Sequence, residues 1–197
     1  MPKVTEEYRS AKRAEIARAA MSCLQRHGVA RTTMADIIVE SGASAGSIYS
    51  NFAGKADIAR YVAGEVVGAK IIALGDLAAR RGEIAPSETL AFVLSGISED
   101  DTPTSVIVQL WGEATVDPEL GAVVRETLER LRGGFTAAVL PWARAATDTE
   151  EEAVELAGRK ATVMASIGQA YIVTRALTGA DVDPRVFLQG IQSLDDA

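Results

Sequence analysis

Between Thr33 and Lys55 the chain places hydroxyls, a carboxamide, a phenol and an ammonium at spacings that suit contact with a nucleic acid. Ser44, Ser47 and Ser50 bring hydroxyls, Asn51 a carboxamide, Tyr49 a long phenolic donor and Lys55 a cation, while Ala45 and Gly46 keep the same stretch thin. Such donors bond phosphate oxygens and base edges, and small residues let a helix backbone come close to a major groove. The same pattern would serve a small-residue helix packed on a neighbour.

Those groups need a scaffold that turns them outward. Thr33 with Asp36 three residues on forms a variant capping box, and Met34, Ile37 and Ile38 share one face of the helix that follows. Ser41-Gly42 ends that helix, and Ser44 caps a second one running through Ser47, Ile48, Tyr49 and Phe52. Ile48 and Phe52 stand one turn apart and pack inward, which leaves the small and polar residues on the other side. Two short helices joined by a tight turn make a helix-turn-helix. Ahead of it, Glu6–His27 reads as a helix with Ile16, Ala20, Cys23 and Leu24 inward, closed by His27-Gly28.

The run Thr33–Lys55, with Gly42, Ser44, Gly46, Ile48-Tyr49, Phe52 and Lys55 in register, resembles the DNA-binding signature of the TetR/AcrR family of bacterial transcriptional regulators, over roughly Ala14–Tyr61. The resemblance implies a three-helix helix-turn-helix DNA-binding domain at 1–54. A helical regulatory, ligand-binding and dimerisation domain at 55–197 would follow, its first helix linking the two. It implies phosphate contacts from Thr33, Tyr49 and Lys55, with Ser44, Ala45, Gly46, Ser47, Ser50 and Asn51 at or near base edges. Many members carry a lysine where this chain has Ala45, so that contact is absent here. A homodimer is implied as well, its two recognition helices reading half-sites about one DNA turn apart.

Composition bounds the alternatives. A chain of 197 residues, 48% apolar, can bury a substantial core. The net charge of −7 divides unevenly: residues 1–60 hold nine cations against six anions, and the remainder eleven against twenty-one. The basic end can attract phosphate while the acidic body keeps the protein soluble, although charge blocks this mild also serve as solvated surface. The lone Cys23 has no internal disulfide partner and sits on an apolar face. The single His27 allows no histidine-pair metal site and reads as a helix cap. No glycine-rich phosphate loop, metal-ligand cluster or nucleophile elbow is present, so neither an enzyme nor a cofactor is expected. No apolar run approaches the roughly 18–20 residues that span a bilayer, and the polar Met1–Arg13 lacks a signal-peptide core. A cytoplasmic protein is expected. Within Met1–Thr5, Lys3 reads equally as part of a phosphate-touching arm, with Arg9, Lys12 and Arg13, or of a loose tail.

The body shows helical punctuation and no β pattern. A linking helix over Ala56–Arg81 is followed by helices opened at Pro86, Pro103 and Pro118, by a long one from the Thr149/Glu152 capping box to Leu177, and by a last one from Pro184 through Leu194. The fold class is all-α, an antiparallel bundle behind the helix-turn-helix. Gly158, Ala161, Ala165, Gly168 and Ile172 form a small-residue stripe, and Val186, Phe187, Gly190, Ile191 and Leu194 an apolar one. Both stripes suit packing within one subunit; the resemblance favours a dimer interface. Phe92, Gln109, Trp111, Glu113, Phe135, Met164 and Gln169 suit a pocket for a small-molecule effector, and core packing explains each of them as well. The expected function is a ligand-responsive dimeric repressor that an effector releases from operator DNA. A helical small-molecule binder or an architectural DNA protein is the alternative.

Overall fold

The computed structural model describes residues 6–99, 103–179 and 182–189. Their elements are helices throughout: α1 (Glu6–His27), α2 (Met34–Ser41), α3 (Ala45–Asn51), α4 (Lys55–Arg81), α5 (Pro86–Glu99), α6 (Thr104–Glu113), α7 (Pro118–Ala145), α8 (Glu150–Thr178) and α9 (Pro184–Leu188). None is long and apolar enough to cross a membrane. The chain divides into two compact units, residues 1–65 with 106–124, and residues 66–105 with 125–197. The division runs through α4, α6 and α7 rather than making one cut along the sequence.

In the first unit, α1 buries Ile16, Ala17, Ala20 and Cys23 at helical spacing, and Ile16, Ala20 and Cys23 join Ile37, Ile48, Phe52 and Ile58 in one apolar cluster. Helix ends are made locally. Thr33 and Asp36 complete a reciprocal capping box, Gly42 takes φ +62° to end α2, and Ser44 caps α3 by accepting from Ser47 N–H at 3.2 Å. Across α1 and α2, Glu40 accepts from Ser22 at 2.9 Å and pairs with Arg26.

In the second unit, α8 turns Ala153, Leu156, Ala157, Ala161, Met164 and Tyr171 inward against Leu74, Leu90, Leu94, Phe135 and Val139. Small side chains on α8 let other helices approach closely, and Gly134 does the same on α7, where a Cβ would stand 2.9 Å from Ile71. Tyr171 is fully buried; its hydroxyl donates to the Val182 carbonyl at 2.6 Å and its ring meets Phe187 edge to face. Arg175 donates to Ser98 Oγ at 2.7 Å, tying α8 to α5. The Thr149/Glu152 capping box opens α8, and Gly179 at φ +62° closes it. The expected continuation of the last helix to Leu194 lies outside the described residues, as does the Met1–Thr5 arm.

Candidate nucleic-acid interface

Burial sorts α3 into two faces. Ile48 and Phe52 are sealed in the cluster, whereas Ser44, Ala45, Gly46, Tyr49 and Ser50 are exposed and Ser47 and Asn51 half-buried. A Cβ at Gly46 would meet nothing within 4 Å, so the front of the helix is open to an approaching surface. Its polar atoms differ in readiness. Ser50 Oγ and Asn51 Nδ2 both donate to the Ser47 carbonyl at 2.8 Å, which leaves the Asn51 carbonyl oxygen as that side chain's outward acceptor. The Tyr49 ring is 54% exposed and its hydroxyl has no bond among the described residues, making it a free donor on this face.

The two flanking expectations carry intramolecular duties. Thr33 Oγ1 donates to Asp36 Oδ2 at 2.7 Å and accepts from Asp36 N–H at 3.2 Å, so its hydroxyl is committed to the cap. These bonds from the Thr33 backbone and side chain hold the Asp36 carboxyl below the usual carboxylate range. Lys55 Nζ donates to the Val29 carbonyl at 3.1 Å, which uses one of its three donors.

One element of the interface was not legible as such. Arg13 of α1 lies over the rings of both Phe52 and Tyr61, at 4.5 and 4.9 Å from their centroids, and those rings meet edge to face. The stack fastens α1 to the residue that ends α3. An arginine one turn before Ile16 and aromatics at 52 and 61 are visible in sequence, but their meeting is a tertiary event. The Arg26 guanidinium and the Ser22 hydroxyl likewise lower the Glu40 carboxyl from its ordinary value.

The residues expected at an effector pocket fall in different units. Gln109, Trp111 and Glu113 belong to the first unit on α6, with Trp111 and Glu113 half-buried. Gln109 Oε1 accepts from the Val29 N–H at 3.0 Å. Phe92, Phe135, Met164 and Gln169 belong to the second unit; Phe135 and Met164 are sealed in its core, Phe92 is 38% exposed and Gln169 is half-buried. Of the expected dimer stripe, Ala161 is fully buried in its own unit's core, and Ala165 and Ile172 pack against that core from its edge. Gly158 and Gly168 have nothing within 4 Å of a notional Cβ. Phe187 packs on Tyr171, Val186 lies in α9, and Gly190, Ile191 and Leu194 fall outside the described residues. Among the described residues no group of three or more His, Cys, Asp and Glu side chains forms a metal cluster.

A capped helix pair with a sealed back and an open, donor-bearing front makes a helix-turn-helix. Residues 16–62 match the family model of bacterial regulatory proteins, tetR family. A 61-residue stretch is 39% identical to the uncharacterized HTH-type transcriptional regulator YfiR of Bacillus subtilis, covering 31% of this chain and 30% of that one. Likeness of fold extends further. FadR of Bacillus subtilis, solved with stearoyl-CoA, superposes with a TM-score of 0.73 at 18% identity over 93% of this chain and 97% of that one. GusR of Salmonella enterica gives 0.71 at 17% identity over 99% and 100%. FadR of Thermus thermophilus, solved with lauroyl-CoA, gives 0.63 at 15% identity over 92% of each.

Proposed function

We propose that the protein is a dimeric transcriptional repressor that binds operator DNA through α3 and is released by a small-molecule effector. The observation that carries the DNA-binding part is the open face of α3, with its free Tyr49 hydroxyl, set on the sealed Ile48 and Phe52. In this reading Tyr49 and Lys55 hold phosphates, and Ser44, Ala45, Gly46, Ser47, Ser50 and Asn51 lie at or near base edges. Thr33 adds a phosphate contact only by sharing the hydroxyl that caps α2. A cationic first sixty residues, nine positive groups against six negative, favours approach to the duplex.

Dimerisation through α8 and the last helix supplies the second recognition helix. The outward side of α8 supports it: Val163 and Leu177 are exposed, Gly168 opens onto free space, and no charged residue occurs between Lys160 and Arg175. An effector held by the helical body would favour a dimer whose recognition helices no longer match successive grooves. The fold-mates solved with stearoyl-CoA and lauroyl-CoA make long-chain acyl thioesters a reasonable first set of effectors to try.

The test is a fluorescence-anisotropy titration against duplexes covering both flanks of its own gene, at fixed salt, with scrambled duplex as competitor. Competitor-resistant binding at a two-fold-symmetric site is expected, and acyl-CoA addition then tests release. Binding no tighter than to scrambled duplex would defeat the operator reading.

A further inference from the structure

Val29 is the second residue after α1, is 3% exposed, and lies outside any helix, so neither of its peptide groups is satisfied by a helical ladder. Both are taken up by side chains from other elements. Its N–H donates to Gln109 Oε1 of α6, 80 positions along the chain, at 3.0 Å, and its carbonyl accepts from Lys55 Nζ at the start of α4, at 3.1 Å. Gly28 makes room for this: it takes φ +82°, and a Cβ there would stand 2.7 Å from Gln109 Oε1. Beyond Val29, Thr32 is 1% exposed and returns its hydroxyl to the Gly28 carbonyl at 2.8 Å; Thr33 then caps α2. Every partner in this chain of contacts belongs to the first unit.

We propose that Gln109 is a positioning residue for the DNA interface: by accepting the Val29 N–H it holds the α1–α2 loop in the conformation that presents α2, α3 and Lys55 to DNA. The proposal rests on the DNA-binding reading above. Its physical basis is that the loop must take one conformation to place the Thr33 cap, and a buried N–H that loses its acceptor is driven to reorient toward water. Lys55 is tied to the same residue, so a displaced Val29 also displaces a cation assigned to phosphate. Residues 106–124 are thereby part of the reading head's support.

The probe is the duplex that the wild-type protein itself enriches from a random 20-base-pair pool. Q109L removes the acceptor at similar size, and Q109E keeps an oxygen acceptor at an exposed position. Q109L is expected to weaken binding about fivefold or more, the equivalent of one lost neutral hydrogen bond, and to raise the exchange rate of the Val29 amide proton. Q109E is expected to restore both to near wild-type values. A purely local packing role predicts that Q109L, of similar size, leaves both readouts near wild type. The proposal is overturned if Q109L binds as tightly as wild type, or if Q109E loses affinity alongside it. Failure of the wild type to enrich any duplex would instead remove the DNA-binding reading on which the proposal stands.

Discussion

The first unit sets the short α2 and α3 against α1 around a modest cluster, Ile16, Ala20, Cys23, Ile37, Ile48, Phe52 and Ile58, and completes itself with polar devices. These are the Thr33/Asp36 box, the Ser44 cap, the Arg26–Glu40–Ser22 junction, the Arg13 stack and the paired contacts on Val29. The second unit lays the long α8 along a larger apolar core containing Leu90, Leu94, Phe135, Met164 and Tyr171. Short helices bury little area each, so their geometry must be held by caps and directed bonds. Long helices with small residues can rely on close packing. A surface that reads DNA needs its side chains held to fractions of an ångström, and directed bonds supply that where bulk burial does not.

This contrast can be broken most sharply in the second core. Phe135→Ala should cost about 3–5 kcal/mol, the range for deleting a buried aromatic side chain. The two tryptophans allow the units to be read apart, since Trp111 belongs to the first and Trp142 to the second. In denaturant titrations of Phe135→Ala, Trp142 fluorescence should shift to much lower midpoint. An unchanged midpoint would show that burial does not dominate there.

A smaller effect tests the caps. Thr33→Ala should cost about 1 kcal/mol, the usual value of an N-cap side chain, and should be reported by Trp111 in a Trp142→Phe background. Gly42→Ala, at φ +62° with open space around it, should cost a comparable amount through backbone conformation alone. Equal tolerance of both substitutions would contradict the idea that local geometry holds this unit.

Tyr49→Phe separates binding from stability. Removing a hydroxyl without partners among the described residues should leave the melting temperature unchanged and weaken duplex binding by about 0.5–1.5 kcal/mol. Identical affinity at fixed salt would take Tyr49 out of the interface.

Acid should act on the same unit. Asp36 and Glu40 both have folded-state values below the ordinary carboxylate range, from the Thr33 bonds and the Arg26 bond respectively. A lowered folded value means stability that is present above the unfolded carboxylate pKa and is lost as pH falls through the folded one. The Trp111-reported transition should therefore weaken on acidification below the ordinary carboxylate range. Because neither carboxylate is buried the slope should be shallow, and Glu40→Gln should make it shallower still. A steeper slope in Glu40→Gln would reverse the assignment.

Much of the first unit was legible because its devices are local. Thr33 with Asp36, Gly42, Ser44, and Ile48 with Phe52 all act within four residues of one another, so spacing alone indicates what each does. The α8 capping box and its Gly179 end were legible for the same reason. The reading of α8 as a single small-residue stripe was less complete. Ala161 faces its own core while Gly168 faces free space, and helical spacing cannot say which side of a helix its neighbours occupy.

Sequence alone therefore determined where capped helices such as α2, α3 and α8 begin and end, and which side chains of α3 turn away from the core, since caps and periodicity are short-range properties. Tertiary structure decided the rest: that Gln109 meets Val29 across 80 positions, that Arg13 stacks on Phe52 and Tyr61, and that residues 106–124 join the first unit. Those pairings depend on which apolar faces find each other when the chain closes on itself, a choice made by the summed burial of many residues and visible in none of them singly.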